Sequence, residues 1–211
     1  MVMADTPANR SAAPEGRLFA GSLSRRGLLQ AALRQGLLAM PLLSAGLGLA
    51  ARPARAIGGV LPELDQPAPD FLLQGVVPPG EPGQRSLADY RGRWLVLYFY
   101  PRDFTGGCTL EARGFQRDLL QLQQAGAEVV GISADSPDSH ASFCSEEGLH
   151  FALLSDPGGR VSQRYGSWIA PFSQRHTFLI DPEGQLRARW VAVRPAGHSQ
   201  EVLAALQALQ A

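Results

Sequence analysis

Two cysteines are the only thiols in the 211-residue chain, and the chemistry they offer depends on where they fall. Cys108 lies in Pro101-Arg102-Asp103-Phe104-Thr105-Gly106-Gly107-Cys108-Thr109-Leu110-Glu111-Ala112, between an unbroken apolar run and a stretch of helical composition. This places it at or just inside the first turn of a helix. Free backbone N–H groups and the positive end of the helix dipole there favour a thiolate over a thiol. A thiolate is the nucleophile that attacks a peroxide O–O bond. Thr105, three residues earlier, would point its hydroxyl at the sulfur or at a bound peroxide oxygen. Pro101 would shield the site and set the angle at which the loop begins. Glu111 would bring a negative charge beside a thiolate, so it reads as a capping or arginine-pairing residue rather than a proton donor.

These residues need a framework, and the chain from Leu61 onward reads as alternating strands and helices. The run Trp94-Leu95-Val96-Leu97-Tyr98-Phe99-Tyr100 predicts a strand buried on both faces of a mostly parallel sheet. A helix over 110–124 ends at Ala125-Gly126, and a second buried strand follows over 128–133. Ser136-Pro137-Asp138 opens another helix that ends near Gly148. Beyond it come a short strand over 151–154, a brief helix over 160–165, and strands over 176–180 and 186–193. The turn Asp181-Pro182-Glu183-Gly184 makes the last two strands a hairpin, and an amphipathic helix over 199–209 closes the chain. Val77-Pro78-Pro79-Gly80 predicts an earlier turn. The pattern implies an α/β sandwich of the thioredoxin type, a central mixed β-sheet flanked by helices.

Composition narrows the function classes. The formal net charge is zero, yet residues 1–56 carry seven arginines against two acids and residues 57–211 carry twelve against seventeen. A mildly acidic domain without basic clusters gives no reason to expect nucleic-acid binding. His140, His150, His176 and His198 have no metal-ligand spacing with the cysteines, so neither a metal nor an organic cofactor is expected. No glycine-rich phosphate loop is present, and the absence of Cys-x-x-Cys argues against a disulfide reductase. Tyr98, Phe99, Phe104, Trp168 and Phe172 read as core rather than as walls of a site.

The first 56 residues read as an address. Ser24-Arg25-Arg26-Gly27-Leu28-Leu29-Gln30 resembles a twin-arginine export signal, 37–51 an apolar h-region, and Ala54-Arg55-Ala56 a cleavage site. Arg34 precedes and Pro41 interrupts the apolar stretch, which is shorter than a membrane span. The bland alternative is an uncleaved anchor or a basic tail. Cleavage after Ala56 would leave a single domain over 57–211 without stable membrane association, and would place it in a periplasm or a thylakoid lumen.

Pro101-x-x-x-Thr105-x-x-Cys108 resembles the active-site pattern of peroxiredoxins. With Tyr98-Phe99-Tyr100 before it and Thr109-Leu110-Glu111-Ala112 after it, the segment is similar to the peroxiredoxin Q branch, also called bacterioferritin co-migratory proteins. Gly131-Ile132-Ser133-Ala134-Asp135-Ser136, Leu153-Leu154-Ser155-Asp156-Pro157 and Arg175-His176-Thr177-Phe178-Leu179-Ile180-Asp181 resemble that branch in the same order. The resemblance implies a thiol peroxidase acting on hydrogen peroxide and organic hydroperoxides, regenerated by a thioredoxin-like protein and working as a monomer. It also implies that Arg175 reaches the attacking sulfur from a neighbouring strand, favouring the thiolate and polarising the leaving oxygen.

Two positions depart from the branch pattern. Gly106 stands where proline is usual, making the loop more permissive. Arg113 occupies the place where many members carry a resolving cysteine. The resemblance then assigns resolution to Cys144, on the following helix, as in some members: its thiol would condense with the oxidised Cys108. Two readings of Cys144 remain beside this one, a permanent structural disulfide and a small buried hydrophobe. A redox sensor that is oxidised once, without turnover, is the rival for the whole chain.

Overall fold

The computed structural model describes residues 55–211. The twin-arginine motif and the apolar stretch over 37–51 lie outside the described residues. In chain order the elements are β1 (Arg55–Ala56), β2 (Gly59–Val60), β3 (Leu72–Val77), β4 (Glu81–Ser86), β5 (Trp94–Phe99), α1 (Gly106–Gln124), β6 (Ala127–Ser133), α2 (Pro137–Glu147), β7 (Ala152–Ser155), α3 (Arg160–Arg164), β8 (Trp168–Ile169), β9 (Phe172–Ser173), β10 (His176–Ile180), β11 (Leu186–Trp190) and α4 (His198–Gln210).

Seven strands form one mixed sheet in the order β11-β10-β5-β6-β7-β3-β4. The centre, β5-β6-β7, is parallel because α1 and α2 carry the chain back between strands, whereas β10 joins β5 antiparallel. Alternation along β5 divides the core. Val96 and Tyr98, with Tyr100 just beyond the strand, pack with Phe115, Leu122, Phe143, Val202 and Leu206 of α1, α2 and α4. Leu95, Leu97 and Phe99 face the other side, beside Phe178 of β10, where Phe71, Val161 and Tyr165 pack with them. With both faces covered, the strand must be apolar at every position, which is the unbroken run seen in the sequence.

Local signals place the helix ends. Ser136 caps α2 by accepting from the Ser139 N–H, Pro137 occupies the first turn, and Gly148 ends the helix in the left-handed region. Along α1 the buried stripe runs Cys108, Glu111, Ala112, Phe115, Asp118, Leu119 and Leu122, at helical spacing. Truncating a fully buried anchor such as Phe115 would cost about 3–5 kcal/mol. The inward direction of Cys108 and Glu111 is therefore held by strong packing further along the same helix.

Five strands escape the sequence pattern. The turn at Val77-Pro78-Pro79-Gly80 joins a full hairpin of β3 and β4, but β4 (Glu-Pro-Gly-Gln-Arg-Ser) is an exposed edge strand with no apolar alternation. Proline is tolerated at such an edge, so Pro82 does not break the pairing. The two-residue pairs β1-β2 and β8-β9 are likewise too short to leave a periodic signal.

Candidate active site

The loop after β5 turns directly into α1. Thr105 is the N-cap, with extended backbone (φ −96°, ψ 141°), and makes no side-chain capping bond. Its hydroxyl donates instead to the Arg102 carbonyl at 3.1 Å, closing the loop on itself. This differs from a hydroxyl aimed at the sulfur, and the reason is local: the carbonyl three residues back satisfies the proton. The first-turn N–H groups are thus left without a side-chain cap, an arrangement suited to anionic or electron-rich oxygens. Pro101 is half-buried at the start of the loop.

Cys108 is the third helical residue and is 1% exposed. Its sulfur accepts a hydrogen bond from Arg175 Nη2 at 3.4 Å, while Arg175 Nη1 donates to Glu111 Oε2 at 2.5 Å. Arg175 arrives there because β10 pairs with β5 in a register that sets His176 opposite Phe99. One residue further, Arg175 falls beside Tyr100 and the start of the Cys108 loop. Burial pushes the Glu111 carboxyl up to about 7, and the Arg175 charge pulls it only part of the way back. Glu111 is therefore the arginine's partner, as its position beside the cysteine suggested.

The glycine pair divides in function. A Cβ at Gly107 would stand 3.0 Å from Arg175 Nη2, so a side chain there would crowd the arginine. Gly106 faces open space, and its place at the first helical position is one that proline also suits.

Cys144 belongs to the same apolar cluster as Cys108, and both are free thiols. Burial, with Asp103 adding to it, pushes the Cys144 thiol up to about 12. The aromatics separate: Tyr98 and Phe99 are core on opposite faces, Trp168 packs over Gly159, and Phe172 and Phe104 are exposed.

One buried polar group has no counterpart in the motif reading. The Asp103 carboxylate accepts from the Tyr100 hydroxyl (2.8 Å), the Ser139 hydroxyl (2.7 Å) and His140 Nδ1 (2.9 Å). Its backbone N–H donates to Asp135, which also accepts from Ser133. Asp103 lies inside the Cys108 segment and Ser139-His140 opens α2, so the residues were visible singly. Their meeting depends on a contact across 37 residues of chain.

The chain matches the AhpC/TSA family over residues 64–189. Peroxiredoxin Bcp of Xanthomonas campestris is 40% identical over 154 residues, covering 69% of this chain and 94% of its own. The chloroplastic peroxiredoxin Q of Populus jackii is 38% identical over 128 residues, covering 59% of this chain and 60% of its own. The structure of the Xanthomonas campestris bacterioferritin comigratory protein, studied for alkyl peroxide reduction, aligns with a TM-score of 0.64 at 36% identity over 70% of this chain and 98% of its own. The chain belongs to the AhpC/TSA family and has its thioredoxin-like fold. Within the family its relatives are the peroxiredoxin Q and Bcp proteins, the branch that the motifs resemble. It is thus a peroxiredoxin, a thiol-dependent peroxidase.

Proposed function

We propose that Cys108 is the peroxidatic cysteine and Cys144 the resolving one, in a monomeric enzyme that reduces hydrogen peroxide and organic hydroperoxides. The observation that carries this reading is the Arg175 guanidinium bridging Cys108 Sγ and Glu111 at an uncapped helix start. The Cys108 sulfur attacks the terminal oxygen of ROOH, the O–O bond breaks, and the alkoxide takes a proton to leave as ROH. Arg175 and the first-turn N–H groups support the charge on the leaving oxygen. Thr105 keeps its lone pairs to accept the hydroperoxide O–H, and Pro101 limits the approach. Cys108 sulfenic acid then condenses with the Cys144 thiol, releasing water and forming a disulfide. An external dithiol reduces that disulfide and is itself oxidised. The chemistry assigned to these residues needs no metal and no organic cofactor.

Support for an organic substrate comes from the Xanthomonas protein, whose structures concern alkyl peroxide reduction. Export by the twin-arginine signal, with cleavage after Ala56 and release into a periplasm or thylakoid lumen, rests on Ser24-Arg25-Arg26 and the apolar stretch behind it. The family match beginning at residue 64 agrees with a catalytic domain over 57–211.

The test is peroxide consumption by the protein with a thioredoxin system, beside Cys108→Ser and Cys144→Ser. Abolished turnover in Cys108→Ser and sharply slowed turnover in Cys144→Ser, with a Cys108–Cys144 disulfide in the oxidised parent, is the expected result. Full turnover in Cys144→Ser would remove Cys144 from the cycle. A mass spectrum of the exported protein that begins before residue 57 would sink cleavage after Ala56.

A further inference from the structure

The Asp103 cluster joins the two elements that carry the cysteines. Asp103 sits five residues before Cys108, and the side chains bonding its carboxylate from across the chain, Ser139 and His140, lie in the first turn of α2. Cys144 lies one turn beyond His140 on that helix. The Asp103 and His140 side chains are both fully enclosed, so no water competes for the contact.

A second tie lies next to it. Phe104 is 47% exposed, yet its ring stands edge-on to Phe143 of α2 with centroids 5.1 Å apart. Its φ is +57°, a left-handed conformation that a bulky aromatic adopts only when its surroundings hold it. The loop is thus clamped to α2 by a polar contact and an aromatic one, with a strained residue beside them.

In the present arrangement both thiols are free and Arg175 holds the Cys108 sulfur, so a disulfide, with its short S–S bond, needs a different placement of Cys108. The loop and the first turn of α1 must then move relative to α2. We propose that Asp103, Ser139 and His140 form a latch holding the peroxide-attacking arrangement closed, and that its release sets the rate at which oxidised Cys108 reaches Cys144. This rests on the assignment of those two cysteines as attacking and resolving. The strained Phe104 backbone favours release once the latch opens. These are positioning residues, since none of them touches the sulfur. Latch strength also decides a competition. While the latch stays closed, Cys108 sulfenic acid meets a second hydroperoxide and becomes sulfinic acid, releasing a second alcohol.

Stopped-flow fluorescence on the full-length protein separates the second-order attack constant from the first-order resolution constant. Asp103→Asn is expected to raise the resolution constant roughly tenfold, as loss of a charge-assisted hydrogen bond implies, and to lower the attack constant. Ser139→Ala removes one donor and shifts both in the same directions, with roughly a threefold gain in resolution. Sulfinic acid yield in excess hydroperoxide should fall in the same order. A merely structural role would lower both constants together, and that result, or an unchanged resolution constant in both variants, overturns the latch. A readout free of peroxide keeps the two readings apart: alkylation of Cys144 by iodoacetamide in a Cys108→Ser background. Faster alkylation in Ser139→Ala, which keeps the Asp103 charge that raises the Cys144 thiol, supports the latch. Equal rates overturn it. A parent without a peroxide-dependent phase would instead sink the peroxidase assignment, leaving alkylation to decide the latch.

Discussion

Cys108 and Cys144 are the same side chain in the same apolar cluster, 1% and 6% exposed, and burial alone would not tell them apart. Position on the helix does. Cys108 is third in a 19-residue helix whose N-cap side chain leaves the first-turn N–H groups free, and a guanidinium donates to its sulfur. Cys144 lies near the far end of α2, where its carbonyl accepts from the Gly148 and Leu149 N–H groups. Burial, with the Asp103 carboxylate adding to it, pushes its thiol up to about 12. One helix end supports negative charge and the other opposes it. The division of labour proposed for these two hidden thiols thus rests on dipole direction and on which charged group arrives from the neighbouring element.

The most severe test removes the sulfur proposed to attack. Cys108→Ser should lower peroxide turnover by at least about 10³-fold, whereas Cys144→Ser leaves the first attack intact. Steady-state peroxide consumption checks the first and a rapid-mixing burst the second; equal damage to the burst would erase the contrast between the cysteines. Next in size is Arg175→Met, expected to cost about 10²-fold in kcat/KM while the fold survives. A change within a factor of two would mean that the guanidinium is an ornament of the site rather than part of it. Replacing Cys144 by serine should slow turnover with a thioredoxin-type donor by roughly tenfold, with sulfenic acid trapped by a dimedone-type reagent.

The smallest effect is on stability. Glu111 has a folded value of about 7 against 4.5 ordinarily, so the folded state holds its proton more tightly than the unfolded one. Stability should therefore fall, by about 3 kcal/mol, as pH rises from below 4.5 to above 7. Glu111→Gln should flatten that slope in denaturant titrations at pH 5 and pH 8. Parallel slopes in parent and variant would show that burial does not govern this carboxyl.

Much of the framework was legible because it rests on local rules. The apolar run at Trp94-Leu95-Val96-Leu97-Tyr98-Phe99 announces a doubly covered strand, Ser136-Pro137 announces a helix start, and Gly126 and Gly148 announce helix stops. The edge strand β4 was hidden, since an exposed strand has no buried face to impose alternation. Within the site, Cys108 was legible from its place between strand and helix, and Arg175 only through its resemblance to a known motif. The Thr105 hydroxyl shows the limit: sequence put it beside the cysteine, but not that its proton would go to Arg102.

The sequence by itself determined which residues are chemically able: a thiol at a helix start, a carboxylate one turn on, a second thiol on the next helix, and the periodicities that build a covered sheet. These follow from interactions within a few residues, where residue type and spacing suffice. Only the tertiary structure decided who meets whom. The β5-β10 register carries Arg175 to Cys108 across 67 residues, and the packing of α2 against the loop brings His140 to Asp103 across 37. Such meetings depend on strand order and helix placement set by the whole core, and no local pattern contains them.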